Sequence, residues 1–168
     1  MPARRSSGLS RFNRLRAEAA REALLACFAS ESWASQVASG RPYADLDAMI
    51  SVAEAAWAGL EPESWLYAMA SHPKIGERGG HAPASSEREQ SEVLGARRET
   101  LDALAAENRR YEDRFGHVFL IYASGRSAEE ILASLRARIS NDPSTELAIA
   151  SDELRKIARM RLARLVSG

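Results

Sequence analysis

The sequence predicts an all-α fold, a single-domain helical bundle of about eight helices with one short extended segment, Val118–Ala123. Three observations lead there. Alanine, leucine, glutamate and arginine dominate the chain, and all are good helix formers. Apolar residues recur at three- and four-residue spacing through most of its length. One run, Val118-Phe119-Leu120-Ile121-Tyr122-Ala123, is instead β-branched and aromatic and stands between Gly116 and Gly125. The 168 residues suit one domain and can bury a real core, with residues 1–9 expected to be flexible.

The periodic stretches place helices over Arg14–Ala29, Ser32–Ala38, Asp45–Ala58, Pro62–Ala70, Ser86–Gly95, Arg98–Phe115, Ser127–Ile139 and Pro143–Val166. Several starts have a mechanism. Pro62 and Pro143 suit the first helical position, where a missing N–H costs nothing, and Asp142 can cap the latter helix. Ser127-Ala128-Glu129-Glu130 reads as a capping box, and so does Ser86 with Glu89 three residues on. The run Val118–Ala123 has no sheet to join. Its N–H and C=O groups must therefore find helix termini, water or a ligand.

Charge and composition exclude several function classes. Lys and Arg number 23 and Asp and Glu number 23, so the basic excess of a nucleic-acid binder is missing. The arginines near the start (Arg4, Arg5, Arg11, Arg14 and Arg16) read as a solvated segment. No apolar h-region follows them, and Val118–Ala123 is too short to cross a bilayer. The lone cysteine, Cys27, sits in a helical apolar run and reads as a buried structural thiol. A cytoplasmic protein without membrane or nucleic-acid partners is expected.

The candidates for chemistry begin with the segment Ser71–Ala84. Helix connections usually run about 2–8 residues, and longer ones often carry function. This one holds two of the three histidines, His72 and His81. Pro73 disfavours the helical region for His72 and fixes an imidazole that can donate or accept a proton near neutrality. An ordinary solvated loop histidine is the plainer reading. In Ser86-Glu87-Arg88-Glu89-Gln90, a helix start would offer free N–H donors to an anionic ligand. The capping box alone would also account for that sequence. Arg161 falls on the apolar stripe of the last helix, with Leu154, Ile157, Ala158 and Leu165, so it must pair, snorkel or bind an anion. Asn108 shares a stripe with Leu101, Leu104 and Tyr111, and the preferred reading is a buried amide holding a loop. No metal is expected: His72 and His81 lie in a glycine-rich loop and no His-Glu-x-x-His pattern exists. Neither a phosphate loop nor a Gly-x-Ser-x-Gly elbow is present.

Taken in order, Ser71-His72-Pro73-Lys74-Ile75-Gly76-Glu77, then Ser86-x-x-Glu89-Gln90, then Asn108-x-x-Tyr111-x-x-Arg114-Phe115-Gly116 running into Phe119–Ala123, resemble one family. It is the 2-oxo-4-hydroxy-4-carboxy-5-ureidoimidazoline (OHCU) decarboxylase family. Phe12-Asn13-Arg14, Arg41-Pro42-Tyr43 and the tail around Arg155–Leu162 fit as well, so the similarity runs from about Leu9 onward. Each motif alone is weak, while their order and spacing are specific.

The resemblance implies an all-α fold and the decarboxylation of OHCU to (S)-allantoin in urate degradation. It implies His72 as proton donor and Glu89 as its partner carboxylate. It implies substrate contacts from Pro73, from Ser86, Glu87, Arg88 and Gln90, from Phe119, Leu120, Ile121, Tyr122 and Ala123, and from Arg161. No cofactor is expected, because the substrate's own carbon–nitrogen double bond can accept the electrons released with carbon dioxide. The role of His81 and the choice between monomer and homodimer stay open. The competing readings are a non-catalytic helical interaction module and a hydrolase of another ureide.

Overall fold

The computed structural model describes residues 7–77 and 83–168. Among them the chain is helical, in ten helices: α1 (Ser7–Arg14), α2 (Ala17–Cys27), α3 (Glu31–Ser39), α4 (Leu46–Ala58), α5 (Pro62–Ala70), α6 (Pro83–Glu89), α7 (Ser91–Leu94), α8 (Arg98–Phe115), α9 (Ala128–Arg138) and α10 (Pro143–Leu165). Residues 118–123, the run expected to be extended, are neither helix nor strand. The all-α class stands as the sequence predicts, with the helices interrupted at 118–123 and ten helices among the described residues in place of about eight. None is long and apolar enough to cross a membrane. The helices form two compact units, one running through Ala68 and taking in Ile157–Gly168, the other Met69–Lys156.

The first unit is organised by aromatic rings. Trp33 and Trp57 stack at 5.3 Å between centroids, and Phe28 meets Trp33, Trp57 and Trp65 edge-on. Such offset and edge contacts add to the burial of large apolar surfaces. Trp33 is held from both ends: its N–H donates to the Ser30 side chain that caps α3, and its indole Nε1 donates to the Ala53 carbonyl. Asp45 caps α4 by accepting from Ala48 N–H. Cys27 is buried, as its apolar surroundings imply.

Of the start expected to be flexible, residues 7–9 belong to α1, with Gly8 and Leu9 buried, and residues 1–6 lie outside the described residues. A Cβ on Gly8 would stand 2.5 Å from the Val166 carbonyl oxygen, so only glycine lets α1 approach the chain end so closely. The predicted Arg14–Ala29 helix is α2, Ala17–Cys27, and α1 before it is a helix the sequence reading did not place, with Leu15-Arg16 between the two. Arg11, Arg14 and Arg16 are exposed, while Arg4 and Arg5 lie outside the described residues.

In the second unit, α8 packs along α9. The shared core contains Leu104 and Tyr111 from α8, Ile131 and Leu135 from α9, Phe119 and Ile121 from the extended segment, and Ile75. Gly116 ends α8 in the left-handed conformation, φ 77°, with its N–H on the Glu112 carbonyl. That reversal starts the extended run. Ser127 caps α9 by accepting Glu130 N–H, the first half of the predicted box, and Asp142 accepts Thr145 N–H at the start of α10.

Candidate active site

His72 lies two residues beyond α5, its N–H donating to the Met69 carbonyl. It is only 9 % exposed. Burial removes the reading of an ordinary solvated loop histidine. The residues after it are pinned from α8 and from the turn between α6 and α7. Asn108 of α8 donates through Nδ2 to the Ile75 carbonyl at 3.0 Å, and Gln90 accepts Gly76 N–H through Oε1 at 2.8 Å. Lys74 pairs with Glu112 of α8 at 3.0 Å. Asn108 is thus the buried loop-holding amide that its position on the α8 stripe suggested. His81 lies outside the described residues.

The segment Ser86–Gln90 departs from expectation. The predicted helix Ser86–Gly95 is two short helices, and the first starts at Pro83. Proline is well suited to a first helical position, so the helix begins three residues before Ser86. Ser86 is therefore mid-helix, and its carbonyl accepts Gln90 N–H. The capping box Ser86–Glu89 does not form, and Glu89 stands at the end of a helix. The argument from free N–H donors at a helix start consequently fails for these residues. Helical geometry instead puts Ser86, Glu89 and Gln90 on one face, and all three are buried, at 3 %, 8 % and 5 %. Glu87 is half-buried and Arg88 is exposed. Gln90 separates α6 from α7 and spends its side chain on Gly76 rather than on a cap. That bond ties the residues following His72 to the turn following Glu89.

The extended run solves its backbone problem in a way the sequence reading missed. Arg138 of α9 donates through Nη1 to the Leu120 carbonyl at 2.7 Å. Glu153 of α10 accepts Tyr122 N–H at 3.1 Å. Charged side chains, not helix ends, satisfy these groups. Arg138 is itself held by Glu146, which accepts from both Nε and Nη2, and its guanidinium lies 4.4 Å from the Phe119 ring centroid. Glu146 also accepts from the Tyr111 hydroxyl and from Asn141 Nδ2. Burial, then the bond to Glu146, pushes the Tyr111 hydroxyl above its ordinary range. A signal for the cluster existed. Arg138 follows Ile131 and Leu135 on the α9 stripe, and Glu146 and Glu153 flank Ala150 and Leu154 on the α10 stripe. The reasoning that flags Arg161 would have flagged them.

Phe119, Leu120, Ile121 and Ala123 are buried and Tyr122 is half-buried. Pro73 is half-buried. His72, Glu89 and the run 119–123 all belong to the second unit, linked through Ile75, Asn108 and Gln90. Arg161 belongs to the first unit, where it is 3 % exposed and donates to the Ala26 carbonyl of α2 at 3.3 Å. Its burial on the α10 stripe is as the periodicity required. Among the described residues, no group of three or more His, Cys, Asp or Glu side chains is placed to hold a metal ion.

Comparison with known proteins identifies the family of the chain. The family model for OHCU decarboxylase matches residues 13–163, through both units. The 2-oxo-4-hydroxy-4-carboxy-5-ureidoimidazoline decarboxylase of Haloferax volcanii is 29 % identical over 92 % of this chain and 94 % of its own. That of Amia calva is 33 % identical over 79 % of each. The uric acid degradation bifunctional protein TTL of Arabidopsis thaliana is 31 % identical over 84 % of this chain, which spans only 45 % of that longer protein. Among solved structures, OHCU decarboxylase crystallised in the presence of (S)-allantoin superposes with a TM-score of 0.78 at 32 % identity, covering 88 % of this chain and 99 % of that one. A match over most of the residues, together with the same fold, establishes that the chain belongs to the OHCU decarboxylase family.

Proposed function

We propose that this protein decarboxylates OHCU to (S)-allantoin in urate degradation, with His72 as proton donor and Glu89 as its partner. The observation that carries the reading is the burial of His72 and Glu89 in one unit, on segments joined by the Gln90–Gly76 bond. A proton-transfer pair needs such shielding, because water would otherwise deliver the proton to either face of the product.

The chemistry needs no electron sink beyond the substrate. One ring carbon carries the carboxylate and the hydroxyl, and its neighbour is doubly bonded to nitrogen. As the carboxylate leaves as carbon dioxide, its bonding pair moves between the two carbons and the imine pair moves to nitrogen, which takes a proton. The hydroxyl then loses its proton and becomes the carbonyl. The neighbouring carbon takes a proton from His72 on one face. Glu89 supports the cationic imidazole that donates it. Pro73, the buried face Ser86–Gln90 and the backbone of Phe119–Ala123 orient the ring and the ureido group. Arg88 is exposed and offers the weakest support as a contact.

The substrate is a small molecule and the setting cytoplasmic on this reading, which a balanced net charge suits, and no helix among the described residues is long and apolar enough to cross a membrane. Sedimentation decides between monomer and homodimer. The test of the reaction is turnover of urate oxidised in situ, followed by the circular dichroism of allantoin. The wild-type protein should accelerate formation of optically active product, and folded His72→Ala should not. Near-normal turnover by His72→Ala would overturn the assignment of the proton donor.

A further inference from the structure

We propose that Arg138 and Glu153 are positioning residues for the substrate, acting through the backbone of Phe119–Ala123. The proposal rests on the reading that this run contacts the substrate. A segment that is neither helix nor part of a sheet has no ladder to fix where its amides point. Here two charged side chains supply the fixing, on alternate residues. Arg138 takes the carbonyl of Leu120 at 2.7 Å, and Glu153 takes the N–H of Tyr122 at 3.1 Å. Ile121 lies between the two anchors, so the orientation of its peptide groups is set by both.

The anchors are built rigidly. Arg138 is 7 % exposed and Glu146 is fully buried, and the guanidinium fork is used on both sides, Nε and Nη2 on Glu146 and Nη1 on Leu120. Tyr111 and Asn141 complete the shell around Glu146. An isolated buried ion pair is a poor way to gain stability, because desolvation offsets much of the attraction. Its best use is to fix a geometry that apolar packing would leave loose. Glu153 is 9 % exposed, and its other oxygen is 3.5 Å from Lys156 Nζ. A side chain could have ended on Lys156 alone, yet it reaches back to a backbone amide.

The experiment measures KM, kcat and pH profile separately with OHCU generated in situ, for wild type, Glu153→Gln, Glu153→Ala and the paired variant Arg138→Met with Glu146→Leu. Glutamine keeps an oxygen that can accept Tyr122 N–H, so Glu153→Gln should keep a KM within about two-fold of wild type. Glu153→Ala should raise KM about ten-fold, with kcat and the pH profile little changed, because the proton-transfer pair is untouched. The paired variant replaces both buried ions by apolar groups together, which avoids the uncompensated buried charge that a single deletion would leave. It should show the same rise in KM with a wild-type circular dichroism spectrum. Unchanged KM in both folded Glu153→Ala and the folded paired variant would overturn the proposal. That result with an active wild type and an inactive His72→Ala would leave the reaction assigned and remove only the positioning role. An inactive wild type would instead remove the reading on which the proposal rests.

Discussion

Glu89 is the residue at which two accounts of one sequence part. Ser86-x-x-Glu89 has the spacing of a capping box, and a capping glutamate would lie at a helix start with its side chain near solvent. Pro83 moves the start upstream, so Glu89 lies at the far end of α6 with 8 % exposure. A cap can therefore no longer explain the side chain. Glutamine has nearly the same shape and keeps a hydrogen-bonding oxygen, so Glu89→Gln should change stability by no more than about 1.5 kcal/mol, the scale of one hydrogen bond. It cannot stabilise a cationic His72 by charge. Turnover should fall roughly 100-fold, with product closer to racemic as uncatalysed decarboxylation competes. Thermal midpoint, initial rate and optical purity on one preparation decide it, and a wild-type rate would remove Glu89 from the mechanism.

At the scale of elements, helix ends control where the site residues lie. Gly116 turns α8 into the extended run with φ 77°, and a Cβ there would meet nothing within 4 Å. Alanine would fit the space but not the dihedral, so Gly116→Ala should cost about 1 kcal/mol through backbone strain alone. Gly95, which ends α7, has φ −92° and only ordinary neighbours around its Cβ position. Gly95→Ala should be neutral or stabilising by up to about 1 kcal/mol. Denaturant unfolding of the two variants checks the pair, and equal effects would show that the left-handed end is not what the glycine provides. These ends also explain what could be read in advance. The helix Arg98–Phe115 was legible at both bounds, because a long periodic stretch runs into Phe115-Gly116. The break at Gln90 was not. Nothing local marks it, since Gln90 is a good helix former whose side chain is claimed by Gly76, fourteen residues earlier in sequence. Arg161 was legible as a buried arginine, and its carbonyl partner Ala26 was not, because 135 residues separate them.

At the scale of the whole molecule, stripe reasoning shows residues that must be satisfied but not by what. Arg138, Glu146 and Tyr111 come from three helices and are one network only in three dimensions. The network ties stability to pH in a direction that can be worked out. Burial and the bond to Glu146 raise the Tyr111 hydroxyl above its ordinary value of 10.0, while Arg138 opposes the shift. A raised folded value means that the stabilising contribution is fully present below the unfolded value, about 10, and is lost as pH climbs from there toward the folded value. The folded protein should keep Tyr111 protonated through pH values at which a free tyrosine side chain ionises. Unfolding should then release the Tyr111 proton in the same cooperative step. Tyrosinate absorbance should accordingly rise in two stages on alkaline titration, the second coinciding with loss of helical circular dichroism. In Tyr111→Phe, which keeps the ring against Phe119 and leaves Arg138 on Glu146, the second stage should shrink by about one tyrosine. The thermal midpoint should also fall less steeply above pH 10 than in wild type. The same second stage in Tyr111→Phe as in wild type would show that Tyr111 is not the group linking alkaline pH to unfolding.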